Sequence, residues 1–338
     1  MKHLRFLAVL TAIMLFVVAC TGEGGASSDA TESEEPETSA AASMDETGGM
    51  PDELVIGFVP SREADALVDT IQPVADALSE ALGIPVEGYV ATDYTGLVTA
   101  MQTGQAQIGA FGPFAMVQAV DNAGAEMILQ SERNGSGTYH TQFFTNDPDK
   151  YCDDEPVEGE NGFLNCNGTA DADNGPVAEE KIAEIAAGTT VSFVEQASAS
   201  GYIFPATIFL NNDVDPEEDI EPLFAGSHDA SVIAVCNGDA EVGVSFDDAR
   251  EIAETDCDIA SNVVVFAYGP EIPNDGFAVA GDLSDEAKEA IKQALLAFAS
   301  TDAGAETLDE IYQISALTEP DLDSLDIVRD AAELVTGE

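Results

Sequence analysis

Residues 194–202 have the sequence Val-Glu-Gln-Ala-Ser-Ala-Ser-Gly-Tyr. They follow an apolar run typical of a strand, Thr190 to Val194, and lead into Tyr202 to Leu210, whose composition predicts a buried helix. Small hydroxyl residues and a glycine between a strand and a helix gather backbone N–H groups, hydroxyls and the positive end of a helix dipole at one point. The stretch therefore predicts a seat for an anion, although a serine that simply caps the helix has the same sequence.

Strand and helix patterns alternate on both sides of this stretch. Upstream, strands are predicted at 54–60, 86–90 and 108–111, with helices at 65–82, 94–101 and 114–122. Around and beyond it, strands are predicted at 139–145, 190–194, 242–246, 263–268 and 277–280, with helices at 177–187, 202–210, 231–237, 285–298, 301–312 and 321–335. The alternation upstream predicts a parallel sheet that helices cover on both faces, and its repetition downstream predicts a second α/β lobe. A ligand would then lie in the cleft between the lobes, where strands end and helices begin.

The first 51 residues differ in composition from the rest. Residues 1–19 carry Lys2 and Arg5 ahead of an apolar run that is too short for a membrane span, as in a signal peptide. Cys20 follows directly. Residues 20–51 contain almost no apolar side chains, which predicts a flexible tether. A leash that holds a domain off a membrane and an ordinary disordered N-terminus would share this composition, and only Cys20 distinguishes them.

The chain is strongly acidic. It has 65 Asp and Glu against 10 Lys and Arg, for a formal charge of −55. Such a charge argues against nucleic acid or anionic lipid as a partner, since both are bound through basic patches. Membrane association is therefore expected through a lipid anchor only.

Four cysteines remain besides Cys20: Cys152, Cys166, Cys236 and Cys257. An even number in an exported chain predicts two disulfides, for which three connectivities are possible. The pairs Cys152 with Cys166 and Cys236 with Cys257 close short loops and are favoured. A zinc site is the alternative, but the chain has no Cys-x-x-Cys spacing and only three histidines, so no metal site is expected.

Six short motifs occur in a fixed order behind Val-Val-Ala-Cys20, which resembles the lipobox of bacterial lipoproteins. The motifs are Val59-Pro60, residues 91–98 (Ala-Thr-Asp-Tyr-Thr-Gly-Leu-Val), residues 108–113 (Ile-Gly-Ala-Phe-Gly-Pro), residues 198–202 with Pro205, residues 226–228 (Gly-Ser-His) and residues 269–275 (Gly-Pro-Glu-Ile-Pro-Asn-Asp). In this order the chain, over residues 54 to about 300, resembles the phosphate, phosphite and phosphonate receptors of ABC importers. Each motif alone is weak, but the ordered set is specific.

The resemblance implies a type II periplasmic-binding-protein fold, with a ligand cleft and two crossings between the lobes. Residues 52–135 and 274–338 would form lobe one, and residues 136–273 lobe two. The ligand-binding residues that it implies are Tyr94, Thr95, Phe111, Tyr139, Ser198, Ala199, Ser200, Gly201, His228 and Asp275. Phe111 stands where aminophosphonate receptors often have tyrosine, and Ala199 where threonine is common.

Some of these residues have ordinary structural explanations. Tyr94 could begin a helix with its ring packed and its hydroxyl in water, His228 could cap a helix, and Asp275 in Pro-Asn-Asp-Gly is a common turn residue. Receptors for amino-bearing phosphonates are expected to add a second carboxylate near residues 245–250. The sequence does not show whether Asp247, Asp248 or Arg250 points into the cleft.

The expected function is that of an extracytoplasmic, lipid-anchored solute receptor that delivers a phosphorus oxyanion to an ABC permease and its ATPase. The alternative is a ligand-sensing lipoprotein of the same fold that binds another small anion or organic solute. Catalysis is not expected, because Gly-x-Ser-x-Gly and His-Glu-x-x-His are both absent. No cofactor is expected, and the protein is predicted to be a monomer that holds its ligand by neutral donors and helix termini, with Asp275 accepting a proton from the ligand.

Cys20 should be the N-terminus of the mature protein and should carry lipid. Mass spectrometry of the membrane-associated protein is expected to find an acylated peptide that starts at Cys20. A freely secreted protein with an unmodified N-terminus at another residue would contradict this prediction.

Overall fold

Two mixed β-sheets and their covering helices make up residues 49–171 and 175–337, the part of the chain that the computed structural model describes. The predicted signal peptide, Cys20 and the predicted tether up to residue 48 lie outside the described residues. None of the described helices combines the length and the apolar content that a bilayer crossing needs.

The first sheet forms the core of lobe one. Its strand order is β13-β4-β12-β3-β1-β2. The strands are β1 (Leu54–Phe58), β2 (Val86–Val90), β3 (Ile108–Phe111), β4 (Glu126–Glu132), β12 (Gly276–Val279) and β13 (Ala316–Thr318).

The second sheet forms the core of lobe two, in the order β6-β7-β11-β5-β10-β8-β9. Its strands are β5 (Thr138–Thr145), β6 (Val157–Glu158), β7 (Leu164–Asn165), β8 (Thr190–Phe193), β9 (Glu221–Phe224), β10 (Val242–Phe246) and β11 (Val264–Pro273).

Ten α-helices accompany the sheets in the described residues. They are α1 (Ala64–Leu82), α2 (Tyr94–Gln102), α3 (Pro113–Ala123), α4 (Pro148–Tyr151), α5 (Phe204–Asn211), α6 (His228–Asn237), α7 (Ile259–Asn262), α8 (Asp285–Ala299), α9 (Asp302–Tyr312) and α10 (Leu325–Thr336). A π-helical turn, Ala199–Ile203, runs directly into α5. Apolar side chains of the strands and of the inner helix faces are buried between these layers.

The parallel arrangement predicted for the strands within residues 54–122 is confirmed, but each sheet as a whole is mixed. In the first sheet β1 is parallel to β2 and β3, but β12 is antiparallel to β3 and β4. In the second, β8, β9 and β10 are parallel, while β5 is antiparallel to β10 and β11. The cause is the connectivity: β5 and β12 enter their lobes from the other lobe, so they start at the cleft edge, where their neighbours end.

The chain crosses between the two sheets twice. Residues 133–137 join β4 to β5, and residues 274–275 join β11 to β12. The crossings are bonded to each other: the Asn274 amide donates to the carbonyl of Gly137 at 3.0 Å, and its side chain donates to the carbonyl of Ser136 at 2.8 Å. These two connections give the type II periplasmic-binding-protein fold that was predicted. The C-terminal helix α10 adds a third link, since it packs on α3 of lobe one and on α5 of lobe two.

The helix predicted at 177–187 is largely absent. Val177 instead pairs with Tyr268 of β11, with N–H···O distances of 3.0 and 2.9 Å. Ala178 then adopts a left-handed conformation (φ 56°), and a short 3₁₀ helix follows at Glu179–Glu184. The pairing of Val177 with the sheet and the left-handed turn at Ala178 therefore replace the start of the predicted helix, and only residues 179–184 are helical.

The two disulfides have the predicted connectivity, Cys152 with Cys166 and Cys236 with Cys257. The first closes the insertion between β5 and β8, which carries the short hairpin of β6 and β7. The second ties the end of α6 to the segment before α7. Both lie in lobe two, away from the crossings.

Reduction of the disulfides should destabilise lobe two without changing the order of ligand affinities. Loops with sequence separations of 14 and 21 correspond to about 3 kcal/mol each in the chain-entropy estimate. Urea unfolding of the oxidised protein, the reduced protein and the two paired Cys→Ser variants measures this. Equal unfolding midpoints, or a changed ligand preference after reduction, would contradict it.

Candidate functional site

A partly open cavity lies between the lobes beside the two crossings. It offers about 30 Å³ to the centre of a water-sized sphere, whereas one water needs roughly 10–15 Å³. The space therefore suits a small tetrahedral anion better than a large solute.

Four helices begin at this cavity. Tyr94 starts α2, Pro113 starts α3, Ala199 starts the turn that leads into α5, and His228 starts α6, and all four residues line the cavity. The first amides of a helix have no acceptor inside the helix, and the helix dipole is positive at this end. The backbone alone thus makes the cavity favourable for an anion.

Capping side chains fix these starts. Asp93 accepts a hydrogen bond from the Gly96 amide at 2.6 Å, Ser198 from the Gly201 amide at 3.1 Å, and Ser227 from the Ala230 amide at 3.4 Å. The predicted serine turn is therefore both an N-cap and part of the cavity wall. Its position is held from β5, because the Thr141 hydroxyl donates to the carbonyl of Ser200 at 2.7 Å.

Seven of the ten predicted ligand residues line the cavity: Tyr94, Tyr139, Ser198, Ala199, Ser200, His228 and Asp275. Lobe one supplies Tyr94, lobe two supplies Tyr139, the serine turn and His228, and Asp275 lies on the second crossing. Asp275 and Tyr94 both approach Gly112. A Cβ atom placed on Gly112 would lie 3.7 Å from Asp275 Oδ1 and 3.9 Å from Tyr94 Cε1.

The other three predicted ligand residues do not line it. Thr95 is exposed and borders a separate surface depression with Glu195 and Phe224. Phe111 is completely buried in the core of lobe one, where its ring packs against Gly109. Gly201 is needed for packing, since a Cβ there would lie 2.4 Å from Val194 Cβ.

The residues whose orientation the sequence left open are not in the cavity wall either. Asp248 forms an ion pair with the buried Arg250 at 2.6 Å, and Arg250 also donates to the carbonyls of Leu164 and Val263. This cluster anchors the insertion to lobe two. Asp247 contacts His140, with 3.3 Å between Oδ2 and Nδ1, and lines a neighbouring pocket.

Arg133 is the main feature that the sequence analysis missed. It lies on the first crossing, lines the cavity and forms an ion pair with Asp275 on the second crossing. Its guanidinium carbon lies 5.0 Å from the centre of the Tyr139 ring and 5.3 Å from that of Phe246. The prediction of neutral donors and helix termini did not include this charged donor.

Arginines are scarce, which makes their position informative. The described residues contain eight Lys and Arg side chains, of which Arg62 and Arg133 line the cavity. Arg62 donates to the carbonyl of Glu310 and is the one described cation without a carboxylate oxygen within 4.0 Å. In a chain with a charge of −55, the cavity is thus locally positive.

Two buried donor atoms at the cavity have no hydrogen-bond partner within the described part of the chain. They are Tyr94 Oη and Arg133 Nε. Burial raises the pKa of Tyr94 well above its usual value. The Tyr312 phenol and the carboxylates of Glu195 and Asp275 add to the shift, and the nearby Ser198 side chain opposes it without meeting the geometry of a hydrogen bond. The Tyr94 hydroxyl therefore keeps its proton. A buried donor without a partner costs roughly 1–3 kcal/mol, which an oxyanion in the cavity would relieve.

His228 is neutral at physiological pH. Burial lowers its pKa to about 3, and the charge of Arg133 adds to the shift. Its Nδ1 lies 2.8 Å from Ser245 Oγ and accepts a bond from the Phe246 amide at 3.4 Å, so the ring proton is placed on Nε2. Nε2 lies 3.5 Å from Ser198 Oγ, where it can donate to a ligand.

Asp275 is the one carboxylate in the cavity wall. Burial raises its pKa, and Arg133 opposes this shift. An acceptor beside an otherwise donor-rich wall matches an oxyanion that still carries a proton. Among residues 49–171 and 175–337, no three His, Cys, Asp or Glu side chains come together in a way that could hold a metal ion.

The lobes are in direct contact around the cavity. The Tyr94 amide of lobe one donates to Glu195 Oε2 of lobe two at 3.1 Å, and the His228 amide of lobe two donates to the carbonyl of Ser61 of lobe one at 3.0 Å. Both donors are at helix starts. Backbone groups at two helix starts thus join the lobes across the cavity.

A family model described as "ABC transporter, phosphonate, periplasmic substrate-binding protein" matches residues 56–325, which is most of the chain. The chain belongs to this family. It is 27% identical over 257 residues to the phosphate-import protein PhnD of Mycolicibacterium smegmatis, covering 72% of this chain and 66% of that protein. It is 22% identical over 251 residues to the phosphonates-binding periplasmic protein of Escherichia coli, covering 73% and 67%. The matched region thus spans about two thirds of each relative.

Solved structures share the fold of this family member. The binding protein component of an ABC phosphonate transporter from Pseudomonas aeruginosa has a TM-score of 0.69 at 22% identity, covering 84% of this chain and 86% of that one. PhnD1 from Prochlorococcus marinus, solved in complex with methylphosphonate, has a TM-score of 0.68 at 17% identity, covering 85% and 99%.

Tyr94→Phe should weaken oxyanion binding without destabilising the free protein, because the lost hydroxyl has no partner among the described residues. The expected loss is about 1 to 2 kcal/mol, near the range for a hydrogen bond to a charged group, and Ser200→Ala should lose a similar amount. Tyr151→Phe is the matched control: its hydroxyl donates to Glu241 at 2.7 Å outside the cavity wall, so it should lower stability and leave affinity unchanged. Calorimetry and urea unfolding measure the two effects, and unchanged affinity in both cavity variants would place the ligand elsewhere.

Proposed function

We propose that this protein is the extracytoplasmic receptor of an ABC importer, and that it captures a small phosphorus oxyanion such as phosphate, phosphite or a phosphonate. The observation that carries the proposal is the cavity itself: four helix starts, two arginines and one buried carboxylate converge on a space of small-anion size. The names of the relatives from M. smegmatis and E. coli, which refer to phosphate import and phosphonate binding, support the same class of ligand.

The proposed contacts are of two kinds: donors to the ligand oxygens, and one acceptor for the proton on the ligand. The ligand oxygens accept hydrogen bonds from the hydroxyls of Tyr94, Ser198 and Ser200 and from the first amides of the turn at Ala199. They also accept from His228 Nε2 and Arg133. Asp275 accepts the proton that a phosphorus oxyanion retains near neutral pH. Tyr139 lines the site beside Arg133. These donors lie on both lobes, so ligand binding favours a closed arrangement that a permease would recognise.

Membrane attachment is proposed through lipid on Cys20 alone, with residues 21–51 as the tether. The partners are the permease and ATPase subunits, the receptor acts as a monomer, and no catalytic role is proposed. Genes for a permease and an ATPase beside this one would favour transport over ligand sensing.

Calorimetric titration of the mature protein with phosphate, phosphite, methylphosphonate and sulfate tests the proposal. Sulfate is fully deprotonated near neutral pH and offers no proton to Asp275. We expect it to bind more weakly by about 1 to 3 kcal/mol, because the carboxylate oxygen that faces the ligand would lack a donor even while Arg133 pairs with Asp275. Asp275→Asn should narrow this difference. Equal affinity of the wild-type protein for sulfate and every phosphorus oxyanion would contradict the assignment.

A further inference from the structure

A second pocket lies directly behind the cavity, on the side of the crossings. This rear pocket is lined by Thr138, His140, Asp247 and Tyr268, among others, and offers about 310 Å³ to the centre of a water-sized sphere, about ten times the cavity. Three residues line both spaces: Arg133, Tyr139 and Gln313. The small size of the cavity therefore depends on a thin wall of side chains.

Arg133 is the most firmly held part of this wall. Asp275 holds its guanidinium by an ion pair, and the rings of Tyr139 and Phe246 lie at 5.0 and 5.3 Å. Its side chain is only 12% exposed. Guanidinium groups stack on rings and pair with carboxylates in a fixed plane, so Arg133 occupies one position rather than sweeping through the opening.

We propose that Arg133 determines the size of the ligand: it closes the cavity toward the rear pocket and so restricts the receptor to phosphate, phosphite and methylphosphonate among the phosphorus oxyanions. This inference rests on the proposed function and names the substrate class within it. A longer substituent on phosphorus would have to displace the guanidinium from Asp275, which would leave a buried carboxylate unpaired.

The chemistry of the rear pocket shows what the wall excludes. Asp247 and the hydroxyl of Thr138 line it, and Asp247 Oδ2 lies 3.3 Å from His140 Nδ1. This polar lining could receive a short alkyl chain with a cationic end. The wall formed by Arg133 thus separates a receptor for small oxyanions from one for aminoalkylphosphonates.

Calorimetric titration with methylphosphonate, n-propylphosphonate and 2-aminoethylphosphonate tests the proposal. For the wild-type protein we expect the two longer ligands to bind about 10- to 200-fold more weakly than methylphosphonate, the range for an added methylene that a pocket discriminates. Arg133→Ala should weaken the binding of methylphosphonate. It should also reduce the ratio between the dissociation constants of the longer ligands and that of methylphosphonate by at least about tenfold. The relative affinity of 2-aminoethylphosphonate should increase most.

Matched variants distinguish the effect of the side-chain volume at position 133 from the effect of its charge. Arg133→Met keeps most of the side-chain volume but loses the ion pair with Asp275 that holds the wall in place, so it should reduce the ratio less than Arg133→Ala does. Tyr139→Ala opens the same wall from its other side and should reduce the ratio even if Arg133→Ala does not fold. Arg329→Gln removes a positive charge outside the cavity wall, from the helix α10, and should change neither affinity nor ratio.

Each outcome bears on the proposal. A wild-type protein that binds the longer ligands as tightly as methylphosphonate overturns it, as does an equal change of ratio in Arg133→Met and Arg133→Ala. A wild-type protein that binds no phosphorus compound overturns the proposed function itself, and this inference with it.

Discussion

The ion pair between Arg133 and Asp275 is the interaction on which the site depends. Its two members lie on the two crossings between the lobes, so one contact joins both crossings and also forms the cavity wall. Two charges taken out of water are stable only when each has its partner, and removal of one partner from a buried pair typically costs about 3–5 kcal/mol. The pair therefore fixes the relative position of the crossings. The hydrogen bonds of Asn274 to Ser136 and Gly137 reinforce the same junction.

The charge of the whole chain and the charge of the site have opposite signs. An anion can still bind, because electrostatic interactions weaken with distance. Exposed charges are screened beyond about 10 Å at 0.1 M salt, so most of the acidic surface acts weakly on a bound anion. Within the cavity the dielectric constant is lower, and the helix starts, Arg62 and Arg133 act at close range. An acidic surface slows the approach of an anion, whereas affinity after closure is set by these local donors.

The sequence predicted much of the architecture because hydrophobic periodicity and capping residues are local signals. Most of the predicted strands and helices lie within a few residues of their predicted ends, and Ser198 in the predicted serine turn does cap a helix. Strand direction was missed where it depends on which lobe a strand comes from, as in β5 and β12. Phe111 and Thr95 were predicted as ligand residues but do not line the cavity, because a motif gives the order of residues and not the direction in which each side chain points. Arg133 follows β4 in a turn without a motif, and the scarcity of basic residues was the only signal that could have singled it out.

Crystal structures of the mature protein with phosphate and with methylphosphonate would test the proposed site most directly. We expect one tetrahedral anion between the lobes, with its protonated oxygen facing Asp275. Its other oxygens should be in hydrogen-bond contact with Tyr94 Oη, the Ser198–Ser200 turn, His228 Nε2 and Arg133. The methyl group should lie on the cavity side of an intact Arg133–Asp275 pair. An anion bound outside this cavity, or an Arg133 side chain swung away from Asp275 in the complex, would contradict it.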